Sequence, residues 1–137
     1  MAALKLDERQ MRMLIRRINE IEERLRASGT VKRQLSKLLV EQTRRRITSE
    51  KTAPSGRKWA PWSPEYAATR SAGHSLLIAT GGLRDSINAS VTKEGASVTA
   101  GVDYSAAVNK RRRFLGISSR NQKEIDVLIN DWLERSL

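Results

Sequence analysis

Ile87, Ala89 and Val91 alternate with Asn88, Ser90 and Thr92, and after Lys93-Glu94-Gly95 the alternation resumes at Ala96, Val98, Ala100 and Val102. Two period-two runs around a short turn that carries glycine predict an antiparallel hairpin with one buried face and one wet face. The segments on either side follow a helical period instead. Leu4, Met11, Leu14, Ile18, Ile21 and Leu25 fall at steps of three, four and seven, which places them on a single helical stripe within residues 1–27. Asp7 with Gln10 reads as its capping box, and Ser28-Gly29 as its stop through a left-handed glycine. Thr30 is placed to cap a second helix that carries Val31, Leu35, Leu38 and Leu39 on one side and runs to about Thr48. Near the end, Ser119 with Gln122 is placed to cap a last helix whose face holds Ile125, Leu128, Ile129, Trp132 and Leu133, expected to pack on the sheet.

The fold class is therefore α+β: an N-terminal helical pair, a small antiparallel β-sheet with a hairpin, and a C-terminal amphipathic helix. The chain divides into a helix at 1–29 and a domain at 30–137. The first stripe has two readings that the residues leave open. One is a coiled-coil or partner-binding helix, with Arg17 and Glu22 flanking the seam. The other is ordinary packing in the core, since Ile15 widens the stripe beyond a strict seam.

Pro54-Ser55-Gly56 and Trp59-Ala60-Pro61-Trp62 mark an irregular loop, with Trp59 and Trp62 expected to pack down. Ser63-Pro64-Glu65 is the signature of a short helix through about Arg70. Residues 71–75 read as a connection, and residues 113–117 as a short edge segment of the sheet.

At 137 residues the chain suits one domain, and 39% apolar against 30% charged residues leaves a thin core under a large polar surface. A compact monomer of this size exposes roughly 7,200 Å². There is no cysteine, which removes disulfides, thiolate zinc sites and cysteine nucleophiles. Charges recur from Lys5 onward and no apolar run nears a membrane span, so the chain reads as soluble and made in the cytosol. The single histidine, His74, lies between Ser71 and Ser75, and sequence neighbours alone do not make a triad. Thr80-Gly81-Gly82 lacks the lysine of a phosphate loop. No catalytic group, metal site, cofactor or small-molecule substrate is expected.

The formal net charge is +11. Two basic runs, Arg44-Arg45-Arg46 and Lys110-Arg111-Arg112-Arg113, are candidates for contact with DNA or an acidic partner, and a solvated face is their plain alternative.

Four motifs then occur in order: Pro54-x-Gly56-x-x-Trp59-x-Pro61, Thr80-Gly81-x-Leu83-x-x-Ser86, Gly101-x-x-Tyr104-x-Ala106, and Arg113-Phe114-Leu115-Gly116. The order resembles the virion morphogenesis, or tail-completion, family of tailed, Mu-like bacteriophages, over about residues 40–135. The chain departs from the family pattern where Val108-Asn109-Lys110 runs almost straight into the second basic run. The resemblance implies a strand at Gly101, Tyr104 and Ala106, and a non-enzymatic structural protein at the head-proximal tail end, or neck. It would form a ring, a hexamer by family likeness, and touch neck, connector and tail proteins, with the host cytoplasm as its place of assembly. It also implies that Gly56, Trp59, Pro61, Thr80, Gly81, Leu83, Ser86, Gly101, Tyr104, Arg113, Phe114, Leu115 and Gly116 serve the shared architecture or an interface. The rival reading is a basic module that contacts nucleic acid without reading sequence.

Overall fold

The computed structural model describes residues 3, 5–70, 74–78 and 81–136. In chain order these form α1 (Glu8–Ala27), α2 (Gly29–Arg45), a π-helical turn (Arg46–Glu50), α3 (Pro64–Ala67), α4 (Gly82–Asp85), β1 (Ile87–Val91), β2 (Ala96–Ala100), α5 (Ser105–Arg111) and α6 (Ser119–Ser136). The chain is α+β, with helices at both ends of a two-stranded sheet.

The hairpin forms where its alternation places it. β1 and β2 pair antiparallel, with Ile87 opposite Ala100, Ala89 opposite Val98 and Val91 opposite Ala96. Ser90 and Ser97 face each other on the wet side and share a hydroxyl hydrogen bond of 2.8 Å. The inner face is covered by α2, which runs antiparallel to β1. At its start the Lys32 ammonium donates to the carbonyls of Thr92 (3.0 Å) and Lys93 (2.8 Å) in the hairpin turn. At its end Arg44 donates to the Ile87 carbonyl (3.1 Å). The core cluster of Ile47, Trp59, Leu83, Ile87 and Phe114 sits where α2, the hairpin and the loops converge, with Val40, Val98, Val108 and Leu115 packed around it.

Helix ends follow local chemistry, shifted by a residue or two from the sequence expectation. The Asp7–Gln10 capping box is present. Between α1 and α2 the break is made by Ser28 alone. Its extended backbone ends α1, and its hydroxyl accepts from the Val31 N–H to begin α2. Gly29 is simply the first residue of α2, so neither a left-handed glycine stop nor a Thr30 cap is used. At α6 the cap is Ser118 rather than Ser119. Its hydroxyl accepts from Asn121 N–H, and its own N–H donates to Asn121 Oδ1.

α2 stops at Arg45 and continues as the π turn, which ends on Lys51 in the left-handed region at φ 56°. Lys51 Nζ offsets that strain by donating to the carbonyls of Ile47 and Leu76, both at 2.6 Å, and to Ser75 Oγ at 2.9 Å. The ammonium thereby pins the 74–78 turn to the helix end. Burial lowers its pKa.

Three expectations are corrected. Residues 113–117 form no edge strand, because their backbone groups are taken by side chains. Asn109 Oδ1 accepts from Phe114 N–H and Leu115 N–H, and Arg46 donates to the Phe114 and Gly116 carbonyls. α6 packs on α2 and not on the sheet: Gln42 donates to the Asn121 carbonyl, and Arg45 grips Glu124 with two hydrogen bonds of 2.6 and 3.2 Å. Trp132 on α6 is half-buried. Residues 105–111 form α5, so Tyr104 and Ala106 belong to a helix start rather than a strand.

The chain exposes 10076 Å², about 2,900 Å² more than a compact monomer of its size. α1 contributes heavily, since it buries no residue.

Candidate assembly interface

Three regions collect the residues that the sequence singles out. The first is a junction between the 54–61 loop and the 112–116 segment. The loop is closed by pairing of Thr52 with Lys58 and turns at Gly56, whose φ of 89° suits glycine. Trp59 is buried and its indole N–H donates to the Arg113 carbonyl at 2.9 Å. Arg112 donates to the Ala60 and Pro61 carbonyls. Gly116 lies against Pro54, where an added Cβ would come within 2.5 Å of the proline ring at a φ of 146°. Leu83 is buried in the same core, and the Ser86 carbonyl accepts from Gly101 N–H at 3.1 Å, joining the Gly81–Ser86 turn to the end of β2. Gly81, at φ 84°, is the N-cap of α4. Trp59, Leu83 and Phe114 are therefore interior residues that hold two loops together. Thr80 lies outside the described residues, as do Leu4 and Ser71.

The first basic run is not one continuous surface: Arg44 is exposed, Arg45 half-buried and Arg46 buried. Arg44 reaches β1. Arg45 is bound to Glu124, with Glu50 close by, and the Glu124 hydrogen bond is the largest influence raising its pKa. Arg46 is 1% exposed, and its guanidinium donates to the Phe114 carbonyl (2.7 Å), the Gly116 carbonyl (3.1 Å) and Asn121 Oδ1. Burial lowers its pKa. In the second run Arg112 is half-buried on the loop, whereas Lys110, Arg111 and Arg113 are exposed.

The second region is a cleft of about 580 Å³ bounded by α3, the Leu77–Ile78 turn and α5. Trp62, half-buried, meets Tyr66 edge to face at 5.9 Å, and the Arg70 guanidinium lies 4.4 Å from the Tyr66 ring centre. Tyr104, Arg111 and Arg112 line the opposite wall, and none of the lining residues is acidic. Cations interleaved with aromatic faces suit flat or acidic groups. Among the described residues no hydrogen bond joins His74 to Ser75, whose hydroxyl accepts from Lys51 and whose backbone pairs with Ile78.

The third region is α1. Met11, Leu14, Ile15 and Ile18 are all exposed, with Ile18 at 53%, while Ile21 and Leu25 are half-buried. The core-packing reading of this stripe fails within the chain. The polar side of α1 is laced by Glu8–Arg12, Arg17–Glu20 and Glu22–Arg26 pairs, and Arg24 donates to the Ser136 carbonyl at 3.0 Å.

A model of the phage virion morphogenesis family matches residues 9–110. The chain belongs to that family. No curated protein and no solved structure matches it. The match starts in the first turn of α1, well before the residue-40 start of the motif resemblance. It takes in α2, the Gly56–Pro61 loop and the hairpin, and ends in α5. Phe114, Gly116 and α6 lie beyond it. Membership gives the chain a structural role in phage virion morphogenesis. No described helix is long and apolar enough to cross a membrane.

Proposed function

We propose that this member of the phage virion morphogenesis family is a tail-completion or neck subunit, which assembles as a ring at the head–tail junction and works without catalysis. Residues 1–29 serve it as an assembly extension of the domain at 30–137. The observation that carries the reading is the uncovered apolar face of α1 in a chain with about 2,900 Å² of surplus surface, an amount typical of permanent interfaces. Heterologous head-to-tail contacts close into rings when their rotation closes, and ring symmetry leaves no face wanting. A hexamer follows the family resemblance, and connector and tail proteins are its neighbours. The site residues left at the surface, among them Tyr104 and Arg113, are offered to those neighbours.

Cryo-electron microscopy of purified virions tests the reading. Density for this fold repeated about the axis where tail meets head is expected. Particles whose neck and tail end hold no copy would end the proposal. A second reading is favoured by exposed Lys110, Arg111 and Arg113 in a chain of +11: contact with DNA on its exit path. Three neutralised phosphates give a slope of log affinity on log salt of about −2.7 on duplex DNA. Binding without salt dependence, or none, removes that contact.

A further inference from the structure

A second uncovered surface lies between two helices. α2 and α6 leave between them a groove of about 630 Å³ whose apolar wall is Leu38, Val127, Leu128 and Trp132. Val127 is 59% exposed. The groove begins at Ser28 and Thr30, where α1 departs. α1 cannot fill it in the same chain, because an antiparallel helical hairpin needs a loop of about two to five residues and only Ser28 separates α1 from α2.

Charge distinguishes the two surfaces in the same way. Residues 9–19 of α1 carry four arginines and no acid. Residues 124–134 of α6 carry four acids, Glu124, Asp126, Asp131 and Glu134, and no base; Glu124, already held by Arg45, and Asp131 line the groove, with Arg135 at its end. The lengths agree as well: α1 spans about 30 Å and α6 about 27 Å at 1.5 Å per residue.

We infer that α1 of one copy docks in the α2–α6 groove of the next copy. The contact uses two different surfaces, so it propagates head to tail and covers both the stripe and the groove at once. Pairing of α1 with α1 would leave the groove open on every subunit. The inference rests on the subunit reading above and names the contact that builds it.

The absence of cysteine makes the test clean. Ile18 and Val127 stand at the midpoints of α1 and α6, so they meet whichever way the helices run. Both are exposed, so cysteine at either leaves the fold intact. The full chain carrying Ile18→Cys and Val127→Cys is treated with a short bis-maleimide reagent and read by denaturing electrophoresis and intact mass. A ladder of chains from the double variant, absent from either single variant, is expected. Dimers from Ile18→Cys alone would put α1 against α1 and overturn the inference. A link within one chain would put α1 in its own groove, and no link at all would leave the groove unoccupied; either result overturns it too. Such failures concern the contact only, since the location in the virion is read independently by microscopy.

Discussion

Arg46 is the residue on which the interior turns. It is a buried cation held by neutral acceptors, the carbonyls of Phe114 and Gly116 and the amide oxygen of Asn121. A guanidinium presents five donors in a fixed fork, so one side chain can gather three separate backbone and side-chain groups. Each buried acceptor left without a donor costs about 1–3 kcal/mol, and part of that is recovered when a charge is no longer buried. Arg46→Met is thus expected to lower the unfolding free energy by about 2–4 kcal/mol, read as a lower urea midpoint with an unchanged slope. A midpoint equal to that of the native chain would show that the 113–117 segment holds without this tie. Gly116→Ala probes the same segment from outside. The new methyl meets Pro54 at a φ that alanine avoids, so a loss of about 1–3 kcal/mol is expected in the same titration. Neither role is legible in the sequence. Three consecutive arginines look alike as letters. What separates Arg46 from Arg44 is the position of carbonyls more than sixty residues away, which no local pattern records.

At the scale of elements, the hairpin and the long helices are legible because their signals are local, and alternation fixes the face of β1; the face of α2 is less so, since it buries Val31 with the polar Lys32, Ser36, Gln42 and Thr43 and leaves Leu35 and Leu38 half-buried. Caps slipped where two or three hydroxyl residues or glycines stand together, as at Ser28–Thr30 and Ser118–Ser119. The partner of α6 is not legible because an amphipathic face states that it is buried without stating against what. The seam between α2 and α6 depends on Arg45 and Glu124, and this gives it a pH dependence. The hydrogen bond from Arg45 lowers the Glu124 pKa in the folded chain, chiefly against the cost of partial burial. A carboxyl depressed by folding stabilises the fold above its unfolded pKa of about 4.3, and that stabilisation is lost as pH falls through the lower folded value. Glu124→Gln should therefore lie closest to the native chain in stability at acid pH and fall furthest behind above about pH 5. A difference that stays constant from pH 3 to 7 would show that Glu124 carries no such charge. Trp132 belongs to the same seam but lines an open groove. Trp132→Ala is expected to cost less than the roughly 3–5 kcal/mol of a fully buried tryptophan in the dilute chain. A loss of that full size would mean that the groove is closed in solution.

Over the whole molecule, stability is divided unevenly. The core cluster, the hairpin and α2 share buried side chains and ties from Lys32, Arg44, Arg46 and Lys51, whereas α1, among the described residues, runs into α2 through Ser28, half-buries Ile21 and Leu25 and donates from Arg24 to the end of α6. An isolated helix of about 20 residues is only marginally stable in water, so three surface ion pairs and a capping box hold α1 weakly until its apolar stripe is covered. Two local stabilities in one chain predict two rates of amide exchange. At a dilution that separates the copies, amides of residues 8–27 are expected to exchange close to the rate of unstructured peptide, while those of β1, β2 and the middle of α2 are protected to the level of global unfolding. Raising the concentration until copies associate should slow exchange in α1 and at the exposed face of α6 together, and leave the hairpin unchanged. If α1 in the monomer were already as protected as β1, its stripe would be buried in its own chain, and the surplus surface would have to belong elsewhere. If association slowed exchange in the hairpin but not in α1, the open strand edges would be the joining surface instead.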